Sequence, residues 1–171
     1  MKLLAPKLYS AHQSAIDDTT PHGWQYYWKS TELADLSDDT ISVIAEHAYR
    51  AGSPRSYAVM FHMGGGVTRV THTATAYAGR DVAHNINIDA VWLPGESGEH
   101  AAAETAWARR FLAALQPHRA GSVYVNFLDS DDDTSRVREA YGERTYRRLA
   151  EVKAKYDPDN TFHHNKNIHP G

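Results

Sequence analysis

A chain of 171 residues, 42% hydrophobic and 23% charged, has a globular composition and the length of one domain. A complete dinucleotide-binding domain beside a separate substrate domain does not fit that length. With 18 Lys/Arg against 21 Asp/Glu the formal charge is -3, which gives no electrostatic case for a nucleic-acid or anionic-membrane partner.

The charge is uneven. Residues 1–135 hold 10 basic and 16 acidic side chains, a net of -6, and residues 136–171 hold 8 and 5, a net of +3. A solvated helix face is the simplest account of the basic tail, and an anionic cofactor is the other. There is no cysteine, so disulfides, thiolate zinc sites, thiol nucleophiles and a thioether-tethered flavin on this chain are excluded. The first residues, Met1 to Lys7, contain no long apolar run, so neither a signal peptide nor a membrane span is expected there, and the default compartment is the cytoplasm.

In chain order, the aromatic run Trp24–Lys29 reads as a strand. A helix follows, with Ser37 as N-cap, Asp38 and Asp39 in its first turn, Ile41, Ile44, Ala45 and Ala48 on one face, and Gly52 as its stop. Ser56–Met63 reads as a strand ended by Gly64-Gly65-Gly66, and Val67–Thr73 resumes strand-like alternation. The short glycine turn between them predicts an antiparallel hairpin, with His62 and His72 flanking it. Ala83–Trp92 alternates with period two: Ile86, Ile88, Ala90 and Trp92 on one side, Asn85, Asn87 and Asp89 on the other, which predicts a sheet with one buried face. A long helix spans Ser97–Gln116 with the stripe Ala103, Trp107, Phe111 and Ala114, stopped by Pro117. Ser122–Leu128 reads as a strand and Asp129–Asp133 as a solvated acidic loop. A last helix covers Glu143–Tyr156, with Tyr146, Leu149 and Val152 inward, before a turn at Asp157-Pro158-Asp159-Asn160. The pattern is α+β: an antiparallel β-sheet with helices packed on one face, plus a C-terminal helix and an extended tail.

Several chemistries find little support. The triple glycine lacks the third glycine of a dinucleotide fingerprint and precedes a strand instead of a helix. The acidic loop lacks the glycine and distal glutamate of a calcium loop. His163, His164 and His169 cluster near the terminus, but adjacent histidines in a loop point opposite ways, so no metal site is expected. No nucleophile elbow is present. Two features are more specific. Tyr124 and Asn126, two residues apart on a strand, share a face, and a phenol beside an amide suits a planar polar ligand; the phenol could also serve as a general base. A half-buried strand tyrosine with a hydrogen-bonded hydroxyl is the simpler account from the residues alone. The second feature is the amide-rich terminus Lys155–Pro170, whose order needs something to hold it.

These two segments carry a family resemblance. Tyr124-Val125-Asn126-Phe127, Tyr141-Gly142, Tyr146-Arg147-Arg148-Leu149, Lys153, Tyr156-Asp157-Pro158-Asp159-Asn160-Thr161-Phe162 and Asn165-Lys166-Asn167-Ile168 resemble the C-terminal segment of berberine-bridge-type FAD-linked oxidoreductases. Trp24–Lys29, Gly64–Val70 and Thr75–Asp81 resemble that family's substrate-domain core. On this basis residues 1–121 would be a substrate-domain portion and residues 122–171 the berberine-bridge-type segment, in one structural unit. The resemblance implies hydride transfer from an alcohol, sugar or amine to FAD. It implies Tyr124 as the catalytic base, and Asn126, Asn165 and Asn167 as flavin contacts. His62 and Arg80 would border the substrate pocket. The family's FAD-binding domain, which precedes this region and carries the residues of covalent flavin attachment, has no counterpart in these residues. The expected partners are therefore an FAD-binding domain or chain and a small-molecule substrate. The other reading is a non-catalytic binding or dimerisation module that forms homo-oligomers. Phe127 and Lys166 depart from the family, which often has tyrosine and glutamine there.

Overall fold

The computed structural model describes residues 6–15, 17–164 and 166–171. A short helix α1 (Tyr9–Gln13) leads to strand β1 (Gln25–Leu33), helix α2 (Asp38–Ala48), strands β2 (Tyr57–His62) and β3 (His84–Trp92), and helices α3 (Gly98–Leu115), α4 (Thr134–Tyr141) and α5 (Glu143–Tyr156). The architecture is α+β, as the pattern predicts. The three strands form an antiparallel sheet in the order β1-β3-β2. Leu33 pairs with His84 and Gln25 with Trp92 along one side of β3, and Tyr57 with Asp89 and His62 with His84 along the other.

The helix face of the sheet is mostly apolar, with Lys29 and Thr31 its buried polar members. Leu33, Ile86, Ile88 and Ala90 pack against Trp107, Ala108, Phe111 and Leu115 of α3, with Val43 and Ile44 of α2 at the margin. Each of the larger side chains contributes roughly 1.5–3 kcal/mol by leaving water. Ser37 caps α2, its side chain accepting from Thr40 N, and Ser97 caps α3 by accepting from His100 N. The inward faces of both helices differ from the expected ones. On α2 the covered side chains are Thr40, Val43, Ile44 and His47, while Ile41, Ala45 and Ala48 are exposed. On α3 Ala103 is exposed, and Glu104 is buried in line with Trp107 and Phe111. Glu104 is not stranded there: it accepts from Ser53 N at 2.9 Å and from Ser56 Oγ at 2.5 Å, fixing the turn before β2.

Three expectations fail for identifiable reasons. Val67–Thr73 forms turns, not a strand, and β2 pairs with β3 across the connection 63–83 instead of making a hairpin. Gly65 takes φ of +59°, Val67 N bonds back to Gly64 O, and Val67 O accepts from Arg80, so these backbone groups are already engaged locally. His62 accordingly meets His84, with ring centroids 5.1 Å apart, and His72 pairs with Asp81. Ser122–Leu128 contains a 3-10 turn at Val125–Phe127 in place of a strand.

The acidic loop is a clamp. β1 is an edge strand, and edges need covering. Asp129 accepts from Trp28 N at 3.1 Å, while Asp131 and Asp132 take both sides of the buried Lys29 ammonium at 2.5 and 2.9 Å. Arg136 donates to Ser30 O, and Ala120 N to Glu32 O. The helix α4, unforeseen in the sequence, starts here because Asp133 accepts from Ser135 N and Arg136 N. A second cluster, Val123, Leu128, Val137, Ala140 and Tyr146, holds the C-terminal segment together. On α5 Arg144, Arg147, Arg148 and Lys155 face outward as expected, but so does Val152.

Candidate active site

The sheet face opposite the helices carries Trp28, Ser30, Glu32, Asn85, Asn87, Asp89 and Phe61, by the alternation of their strands. Of these, the polar row of Asn85, Asn87 and Asp89 was expected on the sheet's unburied face. It is buried instead, as is Glu32: Asn85 is 3% and Glu32 1% exposed. The C-terminal segment folds over it.

The 3-10 turn explains how the wall is built. Three-residue spacing brings side chains into line in such a turn, so Tyr124 and Phe127 meet edge to face at 5.1 Å, where a strand would part them. Phe127 then stacks on Phe61 at 5.5 Å, and Tyr124 meets Tyr77 at 5.9 Å. Asn126 Nδ2 donates to Tyr124 Oη at 2.7 Å, fixing the phenol oxygen. The expected neighbours are therefore together, through a different backbone.

Between these rings lies a cleft of about 360 Å³, lined by Phe61, Met63, Val67, Tyr77, Arg80, Asn85, Tyr124 and Phe127. Its size is in the range of small-ligand sites. Arg80 is buried beneath it, donating to Val67 O at 2.9 Å and Thr75 Oγ1 at 2.6 Å, with its guanidinium 5.4 Å from the Tyr77 ring centre. Behind Tyr77 sits Glu32, whose carboxyl is raised by burial. Burial also raises the Tyr77 phenol, followed by the charge of Glu32, while Arg80 acts the other way. Gly79 packs against the Glu32 carboxylate, where any Cβ would collide.

A second, more open cleft of about 980 Å³ adjoins Asn126 and includes Trp28, Lys166 and Asn167. Trp28 Nε1 and Asn167 Oδ1 are buried there without a partner. Uncharged amides and an indole N–H suit the polar edge of a flavin ring, so these residues fit the implied cofactor. Lys166 does not stand free beside the pocket; it donates to Asp129 O at 2.5 Å. Asn165 lies outside the described residues. His62 is exposed on the opposite side of its strand from Phe61 and does not line the cleft. His163 and His164 do not point apart: their rings lie 4.4 Å from each other. No group of three or more metal-binding side chains occurs among the described residues.

Residues 123–169 match the family described as "Berberine and berberine like". An FAD-linked oxidoreductase of Dictyostelium discoideum is 30% identical over 165 residues, covering 95% of this chain and 34% of that protein. The FAD-linked oxidoreductase YvdP of Bacillus subtilis is 32% identical over 134 residues, 78% of this chain and 29% of its own length. The structure of berberine bridge enzyme from Eschscholzia californica superposes with a TM-score of 0.73 at 18% identity, over 86% of this chain and 33% of that one. The chain belongs to the berberine-bridge-enzyme-like family. It spans 34% and 29% of the length of those two curated relatives. Within this berberine-bridge-like chain, sequence patterning overlooked Asn85 and Phe61 as cleft residues. Their only local signal is alternation, which assigns a face but not what covers it.

Proposed function

We propose that this chain provides the substrate-binding side of an FAD-dependent oxidation of an alcohol, sugar or amine. The observation that carries the reading is Tyr124, held by Asn126 at the wall of an aromatic cleft that adjoins a second, amide-bearing cleft. Phe61, Tyr77 and Phe127 orient the substrate and keep water from it. Tyr124 Oη takes the proton from the substrate hydroxyl or amine. Asn126 holds that oxygen in place through its Nδ2 donor. FAD, when bound, would supply the hydride acceptor. Asn126 and Asn167 would hold the flavin's polar edge, and Asn165 is proposed for the same role from the resemblance alone. The cofactor's main binding domain lies with a partner domain or chain.

The test is reconstitution. Joined to the FAD-binding domain of the Dictyostelium relative, the chain should support flavin reduction by at least one of three donor classes: sugars, benzylic or allylic alcohols, and amines. Failure with all three would overturn the reading.

A second reading, an association module, is favoured by one feature. Val152, Tyr156 and Phe162 are 48%, 74% and 80% exposed on and beside α5, a surface suited to another protein.

A further inference from the structure

Arg80 is 7% exposed, yet no ion pair joins it to a carboxylate among the described residues. Its recorded partners are a carbonyl and a hydroxyl, and its Nε is buried with no partner. The neighbouring Asp81 is exposed and turned to His72. An unpaired buried charge is expensive, and a guanidinium has five donors arranged to meet a carboxylate. A second group in the same cleft is also unsatisfied. Asn85 Nδ2 donates to Ser30 Oγ at 3.4 Å, while Asn85 Oδ1 is buried without a donor. The cleft therefore offers a cation and an acceptor among its lining residues, together with aromatic walls. A neutral sugar would leave the charge uncompensated. An amine would meet the wrong charge.

We propose that the cleft takes a planar aromatic or conjugated hydroxy acid, its carboxylate against Arg80 and its hydroxyl toward Asn85 Oδ1 and Tyr124 Oη. This narrows the substrate class of the cleft and rests on reading it as the substrate side. Tyr77 and Phe127 supply the flat walls that a ring requires, and Arg80 supplies selection for charge.

The experiment is binding without turnover. The 171-residue chain is titrated with 4-(hydroxymethyl)benzoate and with its neutral methyl ester, followed by amide NMR shifts. The acid should bind at least about tenfold more tightly than the ester, with shifts at Tyr77, Asn85, Tyr124 and Phe127. Arg80→Gln should erase the preference and Arg80→Lys should keep part of it. Tyr124→Phe removes the contact to the hydroxyl that both probes carry, so it should weaken both alike and leave their ratio. If Arg80→Gln fails to fold, Arg80→Lys and the acid-to-ester ratio still decide. Equal binding, no binding of either probe, or an acid preference that survives Arg80→Gln would overturn the proposal. So would tighter, Arg80-dependent binding of FAD than of the acid, which would give Arg80 to the cofactor. A failed preference leaves the role of Tyr124 standing, and a dispensable Tyr124 leaves the preference standing.

Discussion

Asp89 lies on the cleft side of β3, where Asn87 Nδ2 donates to its two oxygens at 2.9 and 2.8 Å. Burial raises its carboxyl from 3.8 to about 6, with Asn87 opposing. Its cross-strand neighbour Tyr57 is pushed up to about 12, first by burial and then by Asp89. The linkage has a definite sign. Between 3.8 and about 6 the folded chain holds a proton that the unfolded chain releases. Stability therefore falls as pH rises through that window and stays lower above it. Asp89→Asn should melt with the wild type at about pH 4 and about 5 °C above it at pH 7.5. Melting curves that coincide at both pH values would contradict the assignment. This row of polar residues was legible as one strand face from its alternation. Its burial was not, because the segment that covers it lies far along the chain. Tyr124 and Asn126 were legible as neighbours because only one residue separates them.

At the scale of elements, local signals located well and long-range ones did not. The caps Ser37 and Ser97, and the run Glu143–Tyr156, define their helices within a few residues, and the structure agrees. Val67–Thr73 has strand propensity, but its neighbours claim its backbone for turns. The acidic run from Asp129 to Asp133 has a composition that water tolerates. Its partners Lys29 and Arg109 come from β1 and α3, so nothing local signals the clamp. Burial pushes the Asp131 carboxyl up, and hydrogen bonds from Lys29, Arg109 and Tyr27 more than reverse this, leaving it well below the usual carboxylate range. A depressed carboxyl stabilises above its unfolded value of 3.8 and loses that contribution as pH falls below it. Asp131→Ala should lower the melting temperature by about 5 °C at pH 7. The deficit should shrink progressively below about pH 4. A deficit that is constant across pH would mean that the carboxylate charge is not what clamps β1.

The whole molecule is a sheet with two unlike faces. One is an ordinary apolar core under α2 and α3. The other is a polar, aromatic face roofed by the C-terminal segment, and it holds both clefts. The family resemblance identified the C-terminal segment because its motif residues run in order from Tyr124 to Asn167, and residues 123–169 carry the family match. The roof's outer surface, with Val152, Tyr156 and Phe162, is where a partner surface is proposed. Light scattering should detect self-association of the isolated chain at tens of micromolar or above, and Tyr156→Ser with Phe162→Ser should abolish it. A wild-type monomer at all concentrations would argue that this surface is merely solvated.

The central claim is that the Tyr124 side of the sheet is where substrate is oxidised. Its most direct test is the rate of flavin reduction, by stopped flow, in this chain joined to an FAD-binding domain, with wild-type Tyr124 and Tyr124→Phe compared on the same donor. The account predicts a fall of at least about 100-fold, the usual worth of a positioned base, with the melting temperature unchanged. Equal rates in the two proteins would contradict it.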